Sequence, residues 1–138
     1  MNIAGTRVKP QAGFMLIEVL ISVLLFSVGV LALVGLQSAM TRAQTESKVR
    51  SDASYLAGEL VGLMWTDPTN LGGFSDSACA STPQCADWLS KRDQLLPAAD
   101  SDVVVTAATG RVSITLRWTL AGGTPHQYTT TTTVATNP

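Results

Sequence analysis

Two different spacings of apolar side chains divide the chain. From Phe14 to Leu36 the run is almost unbroken, and only Glu18, Ser22, Ser27, Gly29 and Gly35 are not apolar. After it, apolar residues recur at helical intervals: Leu33, Leu36, Met40 and Ala43, then Val49, Ala53, Leu56, Leu60 and Leu63. Charged residues fill the other faces, with Glu46–Arg50 and Lys48–Asp52 at i,i+4. Asp67-Pro68 closes the pattern, because a residue before proline avoids the helical region. The spacing predicts one helix over 14–65, roughly 75 Å long at the standard rise, with an amphipathic second half. Residues 66–101 are loop-rich, with a short helix expected over Asp87–Leu96 that turns Trp88, Leu89 and Leu95 inward. Then the period drops to two. Asp102–Thr106, Arg111–Trp118 and Gln127–Val134 read as strands, separated by turns at Ala108-Thr109-Gly110 and Ala121–Pro125. In the middle strand Val112, Ile114, Leu116 and Trp118 share one face. The threonines of 129–133 fit the third strand better than a glycan-bearing segment. The predicted class is α+β, a long helix laid on a small antiparallel meander.

The apolar run is long enough to cross a bilayer, since a helix over 14–36 spans roughly 34 Å. Residues 1–13 carry Arg7 and Lys9 and no acid. The positive-inside rule therefore keeps the N-terminus cytoplasmic and exports residues 37–138. A secretory signal would place small residues of the A-x-A kind after the apolar core. Here Ala12-Gly13 precede it, and Gln37-Ser38-Ala39-Met40-Thr41-Arg42 follows. The span is expected to be retained, the plain alternative being a simple signal anchor. Glu18 speaks against that alternative. A carboxylate inside a span costs up to about 3 kcal/mol at the helix centre, less near an end, so it calls for a partner or a function. Gly29 and Gly35 each weaken a helix by about 1 kcal/mol relative to Ala; they read as close-packing points in the membrane or flexible points in an assembly.

Composition narrows the function. Hydrophobic residues make up 46% of the chain and charged ones 14%, where a soluble protein has about 25% charged; disorder as the main state is excluded. Nine basic and ten acidic residues leave a net charge of −1, and the exported part stands at −2, so no nucleic-acid partner is expected. Cys79 and Cys85 are the only cysteines. In an oxidising compartment after export, a disulfide between them is the expected state. They lack redox C-x-x-C spacing, and with the single His126 they fall short of a zinc site. No nucleophile elbow, phosphate loop or metal motif appears, so neither enzymatic activity nor a cofactor is expected.

Basic leader, Gly13, Phe14, Glu18 four residues on and a clean apolar run form a recognisable constellation. The stretch GFMLIEVLISVLLFSVGVLALVGLQ (13–37) resembles the type IV pilin-like proteins, most closely the PilV-type minor pilins, the type IV pilus modification proteins. The match is confined to this stretch, and Met15 stands where Thr or Ser is more usual. The resemblance implies a leader over 1–13, a transmembrane and filament-core helix over 14–36 and a periplasmic head over 37–138. It implies cleavage between Gly13 and Phe14 by a prepilin peptidase and N-methylation of the new Phe14 amine. The carboxylate of Glu18 would pair with the Phe14 amine of a neighbouring subunit and set axial register. It implies an inner-membrane, single-pass precursor that moves into the pilus. There it would join other minor pilins and the major pilin in a tip complex that primes assembly and displays a tip adhesin. Major pilins often carry Pro where Gly35 stands, which agrees with a minor subunit. A minor pseudopilin of a type II secretion system shares helix, cleavage and head, and remains the alternative.

Overall fold

The computed structural model describes residues 12–135, the first two by their backbone alone. Helix α1 runs Ala12–Thr66. Its contacts place residues up to Ala43 in one unit and those from Gln44 in a second. No proline falls inside it. At its end the Thr66 hydroxyl donates back to the Leu63 carbonyl at 2.7 Å, and Pro68 opens a 3-10 turn, Pro68–Phe74. A second such turn, Cys79–Ser81, leads into helix α2, Pro83–Leu95. Strands β1, Asp100–Thr106, β2, Arg111–Thr119, and β3, Pro125–Thr133, complete the chain. They form one antiparallel sheet in the order β1-β2-β3. The class is α+β: a long apolar helix and a small three-stranded meander.

The head core lies between one stripe of α1 and one face of the sheet. Val49, Ala53, Leu56, Ala57, Leu60 and Met64 are the buried helix positions. They meet Val103 of β1 and Val112, Ile114, Leu116 and Trp118 of β2, all buried, with Phe74, Trp88, Leu96 and Val134 closing the sides. The last core position of the helix is Met64; Leu63 sits beside it, less deeply placed. Helical geometry accounts for the shift, because Leu60 and Met64 are one turn apart on the same line. Glu46 also departs from the expected i,i+4 ladder: its carboxylate lies 3.1 Å from His126 Nε2, whereas Lys48 and Asp52 do pair, at 3.4 Å.

Several element boundaries differ from the sequence pattern. Helix α2 begins at Pro83, a full turn before the expected Asp87, because proline's missing N–H and fixed φ suit the first helical position. This puts Cys85 one turn before Trp88 on the buried side. Strand β1 begins at Asp100, where Ser101 turns inward behind Arg92. Strand β3 begins at Pro125, which an edge strand tolerates at its first residue. It stops at Thr133, and Val134 leaves the ladder to enter the core.

The turn from β1 to β2 depends on Gly110. Its φ is +65°, and a Cβ there would lie 2.2 Å from the Val134 carbonyl oxygen. The backbones approach this closely because Val134 N–H donates to the Gly110 carbonyl at 2.8 Å. Ala98, just before β1, holds a positive φ of 47° without being glycine.

Candidate functional site

The apolar part of α1 is the segment that nothing in the fold covers. From Phe14 to Leu36 every large hydrophobic residue is exposed, Phe14 to 79% and Leu31 to 71%. Its most apolar 18-residue window has a mean hydropathy of 2.8, and none of that window is buried. One helix is therefore long and apolar enough to cross a membrane. Its hydroxyls are satisfied within the helix: Ser22 donates to the Glu18 carbonyl and Ser27 to the Val23 carbonyl, both at 2.7 Å. Such back-bonding leaves no free polar group on those two side chains.

Glu18 differs. Its side chain is exposed one turn into this surface and touches no polar partner among the described residues. Phe14 stands four residues earlier on the same helix face, about 6 Å away along the axis. Gly13, the expected cleavage residue, is part of the α1 backbone. Of the expected leader, residues 1–11 lie outside the described residues. The structure thus sets Gly13 and Phe14 side by side on one turn of the helix and Glu18 on the next. Its N-terminal unit supplies the Glu18 carboxylate with nothing of opposite charge among the described residues.

The head holds the other polar clusters, none near the Glu18 segment in sequence. Cys79 and Cys85 form a disulfide with Cα atoms 5.0 Å apart, joining the second 3-10 turn to the first turn of α2, both cysteines buried. Lys91 of α2 reaches both carboxylate oxygens of Glu59 at 2.8 Å and the Tyr55 hydroxyl at 3.1 Å, its ammonium 4.8 Å from the Tyr55 ring centre. Hydrogen bonding to Glu59, then to Tyr55, raises the Lys91 pKa above the ordinary lysine range. Buried Trp88 donates from Nε1 to the Leu56 carbonyl at 2.9 Å, a second tie between α2 and α1. Arg92 donates to the hydroxyl of buried Ser101. His126 stacks on Trp118, ring centres 6.0 Å apart, while facing Glu46.

These clusters pin α2 and the sheet to α1; what they present chemically is modest. An open groove of about 230 Å³ between α1 and α2 is lined by Glu59, Leu63, Gln84, Asp87, Trp88 and Lys91, with the Lys91 ammonium already engaged by Glu59. Among the described residues no group of three or more histidine, cysteine, aspartate or glutamate side chains is placed to hold a metal. Sequence reasoning missed the Lys91–Glu59–Tyr55 and Glu46–His126 contacts, since partners on different elements, far apart along the chain, leave no mark in local spacing. Comparison with protein-family models, curated proteins and solved structures finds no match to this chain.

Proposed function

We propose that the chain is a minor subunit of the type IV pilus, of the PilV type, made as an inner-membrane precursor and cleaved between Gly13 and Phe14 by a prepilin peptidase. The observation that carries this reading is Glu18: one carboxylate without a partner among the described residues, on an uncovered apolar helix, four residues beyond Phe14. Cleavage creates a cationic amine at Phe14. In the low dielectric of packed helices, an amine and a carboxylate attract strongly once they meet. Within one subunit they stand a turn apart; a neighbour shifted axially by about that turn, roughly 5 Å, brings its own amine to this Glu18. One buried pair then specifies register, the best-attested use of such groups. The α+β head supports the same reading, with an amphipathic helix stripe packed on an antiparallel meander.

The protein's role is structural: it joins other minor pilins and the major pilin in a complex that primes the filament and carries a tip adhesin, without catalysis or cofactor. Deleting the gene and scoring surface pili and exoprotein secretion separately tests this. Loss of pili with secretion intact is the expected result. Loss of secretion alone assigns the chain to a type II secretion pseudopilus, and loss of neither removes both assignments.

A further inference from the structure

The two faces of the sheet have different fates. Val103, Val112, Ile114, Leu116 and Trp118 point into the core, so their neighbours along each strand point out. The register sets outward Ser113 between Val104 and Thr131, and outward Arg111 beside Thr106. A depression of about 300 Å³ opens on this patch, lined by Val104, Thr106, Arg111, Ser113 and Thr131. Its charge is unbalanced. At the other end of β2, Arg117 meets Asp100 at 3.3 Å and Asp102 at 3.9 Å. The Arg111 guanidinium has no acidic partner among the described residues, and no acid lines the depression. Hydroxyls surround it. Thr131 donates to Ser113 over a long 3.4 Å, which leaves the Ser113 proton free to donate and the Thr131 oxygen free to accept. The Thr106 hydroxyl has no partner among the described residues. Val104, 54% exposed, supplies the apolar surface.

We propose that this depression binds a sugar acid, one pyranose ring bearing a carboxylate. Each lining group selects a part of that ligand. The planar fork of a guanidinium matches a carboxylate with two parallel hydrogen bonds. Hydroxyls that both donate and accept answer a ligand that does the same, as ring hydroxyls do. Val104 meets the C–H face of the ring. The volume sits at the lower bound of small-molecule sites, about 300–1,000 Å³, which is room for one ring rather than for a chain of them. A protein partner suits the patch less well. Protein interfaces are anchored by large side chains packed in desolvated pockets, whereas this depression is open and Val104 is its one apolar side chain. The site lies wholly within the head, so the inference is independent of which assembly the chain joins.

NMR titration of the full chain tests this, in polyoxyethylene-ether micelles that carry no sugar, phosphate or carboxylate headgroup. The probe is methyl galacturonoside, taken to tens of millimolar. Saturable shifts are expected at the amides of Val104, Thr106, Arg111, Ser113 and Thr131, with millimolar affinity. Two partial ligands divide the contacts. The methyl ester of the same sugar keeps the hydroxyls without the charge, and acetate keeps the charge without the ring. Each is expected to bind at least about tenfold more weakly, the worth of one charge-assisted hydrogen bond. Arg111→Gln is expected to weaken the uronoside by at least about the same factor. Arg117→Gln, whose guanidinium is already matched by two aspartates, leaves the affinity unchanged. Unaltered core shifts show that each variant is folded; should Arg111→Gln unfold, the comparison of three ligands on wild type decides. Acetate binding as tightly as the uronoside would reduce the site to an adventitious ion only. An ester that binds as tightly would remove the role of Arg111, and absent or scattered shifts would leave an ordinary solvated sheet face. Each of these results overturns the proposal.

Discussion

Glu18 carries the one formal charge in the apolar run, so its substitution separates insertion from assembly. For the proposed membrane precursor, Glu18→Ala removes a polar cost of up to about 3 kcal/mol from the span, and insertion and cleavage are expected to be at least as efficient as in wild type. Co-purification with other minor pilins is expected to fall to background; undiminished recovery would mean the carboxylate only rests at the interface. Gly110 is the matching case in the head. Gly110→Ala places a Cβ against the Val134 carbonyl oxygen at a φ that costs L-residues about 1–2 kcal/mol by itself. We expect the head to lose about 2 kcal/mol or more, read as a lowered denaturation midpoint. Gly122→Ala is the control, since it too has a positive φ but open space around it.

At the scale of elements, the disulfide and α2 act together. Cys79–Cys85 closes a short loop, for which chain entropy assigns about 2–3 kcal/mol. Replacing both by Ser is expected to lower head stability by that amount without unfolding it, as followed by chemical denaturation. Lys91 adds a pH signature. A pKa raised in the folded state means its contribution is complete below the ordinary lysine value of about 10.4 and fades as pH climbs through the higher folded value. Melting temperature should therefore fall more steeply above about pH 10 in wild type than in Lys91→Met. How much of this was readable beforehand depends on the range of the interaction. The strict alternation of Val112 to Trp118 and the stripe from Val49 to Leu60 are local periodicities, and the sheet and helix follow them. The start of α2 was hidden because Pro83 punctuates loops and opens helices alike. The His126 and Lys91 contacts need the folded head to exist at all. At the apolar end, sequence located Glu18, while the lack of an intramolecular partner among the described residues needed coordinates.

For the whole molecule, the first question is the mature N-terminus. Mass spectrometry of protein from sheared pili is expected to give a chain starting at Phe14 and carrying one N-methyl group. A start near Ala39, or an intact Met1, would remove the pilin assignment. Gly13→Leu should leave precursor in the membrane, with the head folded normally, because the core begins at Val49.

The placement of that core also governs when the head forms. Its helix residues come from Val49–Met64 and its sheet residues from Val103 to Trp118, with Val134 last in the chain. Neighbouring strands of the meander are consecutive, so their pairing is cheap in loop entropy and fast. Docking that sheet on the helix joins segments from opposite ends of the head sequence and is the slow, high-contact-order step. In the proposed topology, with the head exported, the helix stripe would reach the far side of the membrane first and stay bare until Val134 follows. For that interval Leu56, Leu60 and Met64, buried in the finished head, would be open to other unfinished copies. Slowing export would lengthen that interval, and the first sign should be aggregates cross-linked through residues 49–64 rather than loss of the folded head.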